Sequence, residues 1–436
     1  MELLKSEDYE QILSVDIENI RNGADKLLRK YFNLNIISEK EYNFSTTFDT
    51  KLPKFYGNPK VHKTNCPYRP IISQIDGPTS RLNMLVDHLL TETENHTKNL
   101  IKDTLQFLKI IVDKQIPHNS ILVTLDVTSL YTRIPWQEGI DTVLESVQEC
   151  DPKVNIELLQ ETLYYILENN YFTFNKLIYR QKHGTSMGSR MAVKYANIYM
   201  GRKFEKTMIG STLRPHFYCR LIDDIFIIWT HGIESLKDFH SYLNLQDKNI
   251  QYELNFNTRN ITFLDTIVVN CENTLHTINY IKPTNKQMYL HATSNHPIHT
   301  ITSLPLSQAL RIRRNTTNDE DLKIQINQLI ITFQNRGYSK MKIERSINKI
   351  YRHTQRSLIK NQAKKNNVRI PLILPFQPAF IGLGTELRKL WEKHILSKEN
   401  LAIIFKDYPM IGHSKMTTIG SLITSSLYPP KWKTDP

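Results

Sequence analysis

Phe217–Trp229 reads FYCRLIDDIFIIW, two short runs of aromatic and branched residues with Asp223 and Asp224 between them. Such side chains suit a pleated surface, so the runs are expected to be strands and the aspartates to fall at a hairpin turn. Holding two neighbouring carboxylates against apolar strands costs roughly several kcal/mol unless positive charge lies beside them, and a divalent metal ion is the usual answer. Two such ions call for a third carboxylate.

The candidate lies earlier, in HNSILVTLDVTSLYTRIP, where Val123, Leu125 and Val127 alternate with Thr124, Asp126 and Thr128. That is strand periodicity with one apolar and one polar face, and it presents Asp126 from a rigid element. Taken alone, such an aspartate also reads as a surface residue; the later Asp-Asp hairpin favours pairing. Between the two, Trp136 to Asn170 predicts two amphipathic scaffold helices, and NYFTFNKLIYRQ a hairpin turning at Asn175 and Lys176. In KHGTSMGSRMAVKYANIYMGRKFE, Gly184 and Gly188 precede a helix expected to start near Ser189, with Ala192, Tyr195, Ala196 and Tyr199 on one side. Glycines there either let a flat ligand such as a base pair approach the backbone or simply serve packing.

The flanks are less specific. Residues 1 to about 50 read as a helical packing extension, with Ile12, Val15, Ile20, Leu27 and Leu28 at helical spacing. KLPKFYGNPKVHKTNCPYRPIIS, from Lys51, is expected to be extended and irregular, its Lys54, Lys60, Lys63 and Arg69 forming either a phosphate-binding cluster or a solvated basic loop. SQIDGPTSRLNMLVDHLL reads as a turn running into a helix, IESLKDFHSYLNLQ as a helix, and ITFLDTIVVN as a strand before LHTINYIKPT. From about Leu304 the texture is helical and basic, with RIRR at Arg311–Arg314. Arg345, Lys349, Arg352, Arg356, Lys360 and Lys364 are spaced as a ridge along one helix, beside an apolar stripe of Ile343, Ile347, Ile350 and Leu358. A phosphate backbone or plain solvent would complement such a ridge. The tail, RIPLILPFQPAF with a segment around Leu390 and Trp391, reads as a docking extension.

Composition sets the class. The 436 residues are 40% apolar with 14 Gly, so the chain is globular and long enough for two or three domains. A net charge of +13 favours a polyanionic partner, nucleic acid before membrane. Cys66, Cys150, Cys219 and Cys271 form no CxxC pair, which argues against a zinc ribbon or a disulfide framework and for a reducing compartment. MELLKSEDYE is charged where a signal peptide is apolar, and no run approaches a membrane span, so an intracellular protein, nuclear or cytoplasmic, without a membrane partner is expected.

A strand Asp, a glycine-led helix and a strand-turn-strand with two Asp, in that order, supply what nucleotide polymerisation needs. Two Mg²⁺ ions about 3.5 to 4 Å apart activate the primer 3′-hydroxyl and neutralise the triphosphate. On these residues the chain resembles the catalytic core of a reverse transcriptase, and among those the Penelope-like retroelements. FYGNPKVHKT with YRPIIS is similar to their opening fingers motifs, LVTLDVTSLYTRIP to their first palm motif, HGTSMGSRMAVKYANIYM to the second and FYCRLIDDIFIIW to the third. ITFLDTIV, NYIKPTN, SNHP and NRGYS extend the likeness from about Lys51 to about Lys360.

The resemblance implies an α+β right-hand polymerase with fingers, a palm built on an antiparallel sheet, and a helical thumb. The implied divisions are a helical extension (1–50), fingers (51–120), palm (121–290, with a fingers insertion at about 137–182), thumb (291–365) and a C-terminal extension (366–436). It implies RNA-directed DNA synthesis in a retrotransposon, with an RNA template, a DNA primer, dNTPs and two Mg²⁺ ions, Mn²⁺ being a substitute. Asp126, Asp223 and Asp224 are the implied catalytic metal ligands, with the Val127 carbonyl in support. Tyr131 takes the place of the aromatic steric gate against a ribose 2′-hydroxyl, Arg69 that of the fingers arginine on the triphosphate, with Lys63 as its companion, and Met187 and Gly188 lie beneath the nascent pair. Arg311, Arg313, Arg314, Arg345, Lys349, Arg352 and Arg356 are implied to meet the duplex backbone. Met187 stands where many reverse transcriptases have Gln, and Val193 stands where a proline is common. No GIY-YIG endonuclease stretch follows, which implies a truncated copy or a form without that nuclease. The alternatives are an inert nucleic-acid-binding remnant of such an element and a viral RNA-dependent RNA polymerase, against which Tyr131 and the KPT and RGY segments count.

Overall fold

The computed structural model describes residues 2–46, 50–61, 66–360, 369–377, 382–405 and 407–414. It divides into two compact units, Met1–Lys286 with Asn315–Leu322, and Gln287–Arg314 with Lys323–Pro436. The architecture is α+β with largely antiparallel sheets, as expected.

In the first unit a four-stranded sheet carries the aspartates. β4 (Ile121–Val127) lies between β8 (Asp224–Trp229) and β9 (Tyr252–Asn257), and β7 (Phe217–Leu221) completes the hairpin, giving the order β7-β8-β4-β9. Strand alternation sends Val123, Leu125, Val127, Ile225, Ile227 and Trp229 into one core and Leu122, Phe226 and Ile228 into a second. Both faces are therefore covered, and each fully buried side chain of this size contributes about 1.5–3 kcal/mol. β9 was not foreseen. Its Tyr252, Leu254 and Phe256 alternate with polar residues, but four of its six residues are exposed, Phe256 among them, so its apolar signal is weak.

Helices cover the larger core. α7 (Trp136–Cys150) and α8 (Ile156–Glu168) are the two expected scaffold helices, and the Asn155 side chain caps α8 by accepting the Leu158 N–H at 2.8 Å. α9 is Ala192–Gly210, three residues shorter at its start than expected, because Ser186–Ser189 forms a turn and the buried Ser189 hydroxyl donates to Asn83. Val193 and Lys194 are ordinary helix, with Lys194 paired to Asp87 at 3.2 Å. α3 (Ser80–Leu89) and α10 (Ile233–Gln246) form as expected; α4 (Thr91–Asn95), α5 (Thr104–Ile111) and α6 (Leu130–Arg133) complete the set.

Three expectations need correction here. Residues 1–50 do contain helices α1 (Ile17–Asn33) and α2 (Glu39–Ser45), but Tyr9–Ile12 is a strand, β1, and Ile12 and Val15 precede the helix that Asp16 caps. Tyr9 is buried edge-on against Phe172, centroids 5.8 Å apart, a tertiary contact that outweighs the helical spacing. The Lys51 segment is extended but regular: β2 (Lys54–Pro59) and β3 (Tyr68–Ser73) form an antiparallel hairpin. Pro70 is tolerated because β3 is the edge of the sheet β1-β6-β5-β2-β3, where β5 is Tyr171–Phe174 and β6 Leu177–Gln181. β5 and β6 turn at Asn175 and Lys176, both with positive φ (49° and 68°), as a two-residue hairpin demands. ITFLDTIVVN, read as one strand, is a hairpin of β10 (Asn260–Phe263) and β11 (Thr266–Cys271), with Leu264 at φ 53° in the turn; β12 (Thr274–Asn279) pairs with β11.

The second unit holds most of α11 (Ile298–Asn315) and α12 (Asp319–Gln334), then α13 (Lys340–Ile347) and α14 (Gln355–Ile359). α11 starts six residues before Leu304. Pro305 is interior to it, and the Ile301 carbonyl that its missing N–H would serve accepts from the Tyr338 hydroxyl at 3.4 Å. The basic ridge is not one helix: α13 gives way to a 3₁₀ turn at Asn348–Arg352, and Thr354 caps a new start at Gln355. The apolar stripe persists, with Ile343, Ile347 and Ile350 buried and Leu358 partly so, and Arg345, Lys349, Arg352 and Arg356 are all exposed. Lys364 lies outside the described residues. Pro371–Pro375 pairs in parallel with Met410–Ser414. The four cysteines are free thiols, and no helix among the described residues is long and apolar enough to cross a membrane.

Candidate active site

The β4–β8 register sets Asp126 directly opposite Asp224. Opposed residues of an antiparallel pair project to the same face with Cβ atoms about 4.5–5.5 Å apart. Asp223 occupies the turn between β7 and β8, and its carbonyl accepts the Val127 N–H at 3.2 Å, which ties the turn to the end of β4. Asp126 thus meets the adjacent Asp223 and Asp224, remote from it in sequence, at one corner of the sheet. Their charges are felt there: desolvation, then Asp223, then Asp126 push the Asp224 carboxyl up to about 6, with Lys282 and Arg69 opposing. Among the described residues no three His, Cys, Asp or Glu side chains are gathered as a group that could hold a metal ion. The donor chemistry nevertheless suits a hard divalent cation, because the set is all oxygen and its mutual repulsion is relieved by positive charge.

The raised Asp224 carboxyl has a consequence for metal-free protein. A carboxylate raised from 3.8 to about 6 on folding favours the folded state fully below pH 4 and loses that contribution as pH rises through about 6. Asp224→Asn is therefore expected to stabilise the fold at pH 7.5 by about 1 kcal/mol after allowance for the side chain's solvent exposure, seen as a higher melting temperature, and to match the native protein near pH 4. Melting curves in chelator at the two pH values check this.

Tyr131 faces the same corner from α6. Burial, then the Asp223 charge, push its hydroxyl up to about 12 while Arg69 pulls it down, so the ring stays neutral at working pH. Ser129, left-handed at φ 55°, turns the chain from β4 into α6. The Tyr131 carbonyl accepts the Thr185 N–H at 2.7 Å, and Trp136 Nε1 donates to the Gly184 carbonyl at 2.7 Å, fastening the glycine loop beside Tyr131. Arg69 is exposed on β3, opposite Asn58. The Ile72 N–H donates to the Met187 carbonyl at 2.9 Å, and Gly188, at φ 126°, lies against the Ile72 carbonyl. Asp126, Asp223, Asp224, Tyr131 and Arg69 are thus electrostatic neighbours, with Met187 and Gly188 bonded to or packed against β3.

Other expectations stand differently. Lys63 lies outside the described residues. Of the second unit's cations, Arg345, Lys349, Arg352 and Arg356 are exposed, and Arg311 and Arg314 partly so. Arg313 is a correction: it is 8% exposed and its Nε donates to the His353 carbonyl at 3.0 Å, so it braces α11 against the 3₁₀ turn instead of facing a ligand. Sequence reasoning missed Lys282, whose charge reaches Asp224, although it sits in the NYIKPTN segment already singled out. It also missed Glu253, opposite Asp126 on the unforeseen β9, and the buried Arg220.

Residues 288–348 match the family described as the animal helix-turn-helix domain, a span covering all of α11, α12 and α13 and the turns between them. No curated protein sequence matches the chain. Among solved structures, it is similar to telomerase from Candida albicans in complex with a TWJ fragment of telomeric RNA (10% identity, TM-score 0.48, covering 88% of this chain and 70% of that one). Apo telomerase from Candida tropicalis truncated from its C-terminal domain gives 13% identity and a TM-score of 0.38, covering 52% of this chain and 55% of that one. The BmCPV RNA-dependent RNA polymerase at its elongation state gives 10% and 0.43, covering 74% of this chain and 30% of that one. The chain therefore spans about half of the truncated telomerase and under a third of the viral enzyme.

Proposed function

We propose that this chain is an RNA-directed DNA polymerase of a retrotransposon, of the Penelope-like kind its motifs resemble. The observation that carries the reading is the β4–β8 register, which brings Asp126 opposite Asp224 with Asp223 in the adjoining turn. Asp126, Asp223 and Asp224, with the Val127 carbonyl in support, would hold Mg²⁺, or Mn²⁺ in its place, and such ions supply charge neutralisation at the primer 3′-hydroxyl and the triphosphate. On this reading the first unit provides the palm and fingers and the second the thumb.

Each protein group then has a task. Arg69 pairs with the triphosphate, and the resemblance gives Lys63 the part of its companion. The neutral Tyr131 ring closes off the space a ribose 2′-hydroxyl would need, and the backbone at Met187–Gly188 supports the nascent pair. Arg311, Arg314, Arg345, Lys349, Arg352 and Arg356 meet the phosphates of the RNA–DNA duplex without reading bases.

Primer extension by purified protein on poly(rA)/oligo(dT) with Mg²⁺ and dTTP tests the proposal: extension is expected, and duplex binding without extension would favour an inert remnant. Tyr131→Ala is expected to raise ribonucleotide incorporation relative to dNTP on the order of tenfold, because discrimination by a clash disappears with the clashing group. Competition between dTTP and UTP measures it, and an unchanged ratio discards the gate.

A further inference from the structure

The turn that carries Asp223 is held in a conformation its own sequence disfavours. Ile222 has φ 56°, a left-handed backbone that a β-branched residue rarely adopts and that persists only where the surroundings impose it. The neighbouring Arg220 is 2% exposed. Its Nη1 donates to the Ile222 carbonyl at 2.7 Å and to Asn197 Oδ1 at 3.1 Å, and its Nη2 donates to the Asn197 carbonyl at 2.7 Å. Asn197, 4% exposed on α9, in turn donates from Nδ2 to Glu94 Oε1 on α4 at 2.7 Å.

Close packing surrounds the guanidinium on α9. A Cβ at Gly201 would stand 2.5 Å from Thr97 Cγ2, so the glycine lets Thr97 close on the helix beside Arg220, whose Nη2 a Cβ would meet only at ordinary contact distance, 3.4 Å. The main chain of β7 is anchored too, since the Arg220 N–H donates to the Asn99 carbonyl and the Arg220 carbonyl accepts from Ile101, both at 2.9 Å. Burying a guanidinium without full hydrogen bonding is costly, and a planar fork that spans two carbonyls is what Arg offers and Lys does not.

We propose that Arg220 is a positioning residue for the polymerase reaction: by joining the Ile222 carbonyl to Asn197 it fixes the left-handed turn that aims Asp223 and Asp224 at Asp126. One side of the turn is pinned by the Val127 N–H to the Asp223 carbonyl, the other by this guanidinium. The inference rests on the polymerase reading above, and native protein is assayed first so that failure of that reading is recognised on its own.

The test is a rescue. Arg220→Gln is expected to lower kcat for oligo(dT) extension on the order of thirtyfold, to change KM for dTTP less than about twofold, and to raise the Mg²⁺ concentration needed for half-maximal rate. Arg220→Lys, which keeps a buried cation and so guards against a variant that does not fold, is expected to fall on the order of tenfold. Ile222→Gly adopts the left-handed conformation without help. Added to either Arg220 variant, it is expected to recover roughly tenfold in kcat, while alone leaving the native rate within about threefold. A purely structural role for Arg220 predicts no recovery by Ile222→Gly. Native kcat in Arg220→Lys, or double variants as slow as the Arg220 variants alone, would overturn the proposal.

Discussion

Asp223→Ala is expected to slow primer extension by about 10³-fold or more while leaving affinity for a primer–template duplex within about twofold. Ligated cations supply several kcal/mol of charge stabilisation, and each 1.36 kcal/mol lost is tenfold in rate. On the proposed reading duplex affinity comes instead from basic side chains on phosphates, including the exposed Arg345, Lys349, Arg352 and Arg356, none of which the substitution touches. Asp223 sits partly buried in a turn whose backbone bonds run through its carbonyl, so removing the carboxylate leaves the hairpin intact. Single-turnover extension beside a duplex-binding titration reads both quantities. Equal extension by the variant would refute the metal assignment.

Gly188→Ala is expected to destabilise the first unit by about 3 kcal/mol. At φ 126° an alanine is strained, which costs of order 1–3 kcal/mol, and its Cβ would press on the Ile72 carbonyl oxygen, which has no flexible end to swing aside. Relief requires the loop to back away from β3, stretching the Ile72 N–H to Met187 carbonyl bond at a further cost of about 1 kcal/mol. Because β3 also carries Arg69, extension should fall with stability. Chemical denaturation measures the first effect and dTTP KM the second; a variant as stable as native would show that the close approach is not needed.

Much of this was legible in the chain. The central hairpin, Asp126 on its strand, helices α7 and α8 and the Asn175–Lys176 turn follow from alternation, helical spacing and turn chemistry, all local signals. What escaped was set by tertiary context. Tyr9–Ile12 became a strand because Tyr9 found Phe172, and β9 hid because Glu253, Asn255 and Phe256 are exposed. The supposed basic ridge counted intervals of four and three as helical, and a 3₁₀ turn with a fresh cap at Thr354 satisfies the same intervals. At the site, the triad could be read because its residues are acidic against apolar strands. Arg220 could not: an arginine in a strand gives no sign of burial until α9 and α4 are folded onto it.

The count of Mn²⁺ bound at the triad, by electron paramagnetic resonance on protein with primer–template and a nonhydrolysable dTTP analogue, tests the account most directly. Two ions are expected on native protein and at most one on Asp126→Asn, because Asp126 stands across the sheet from Asp224. Binding of two ions undiminished in that variant, or none on native protein, would contradict it.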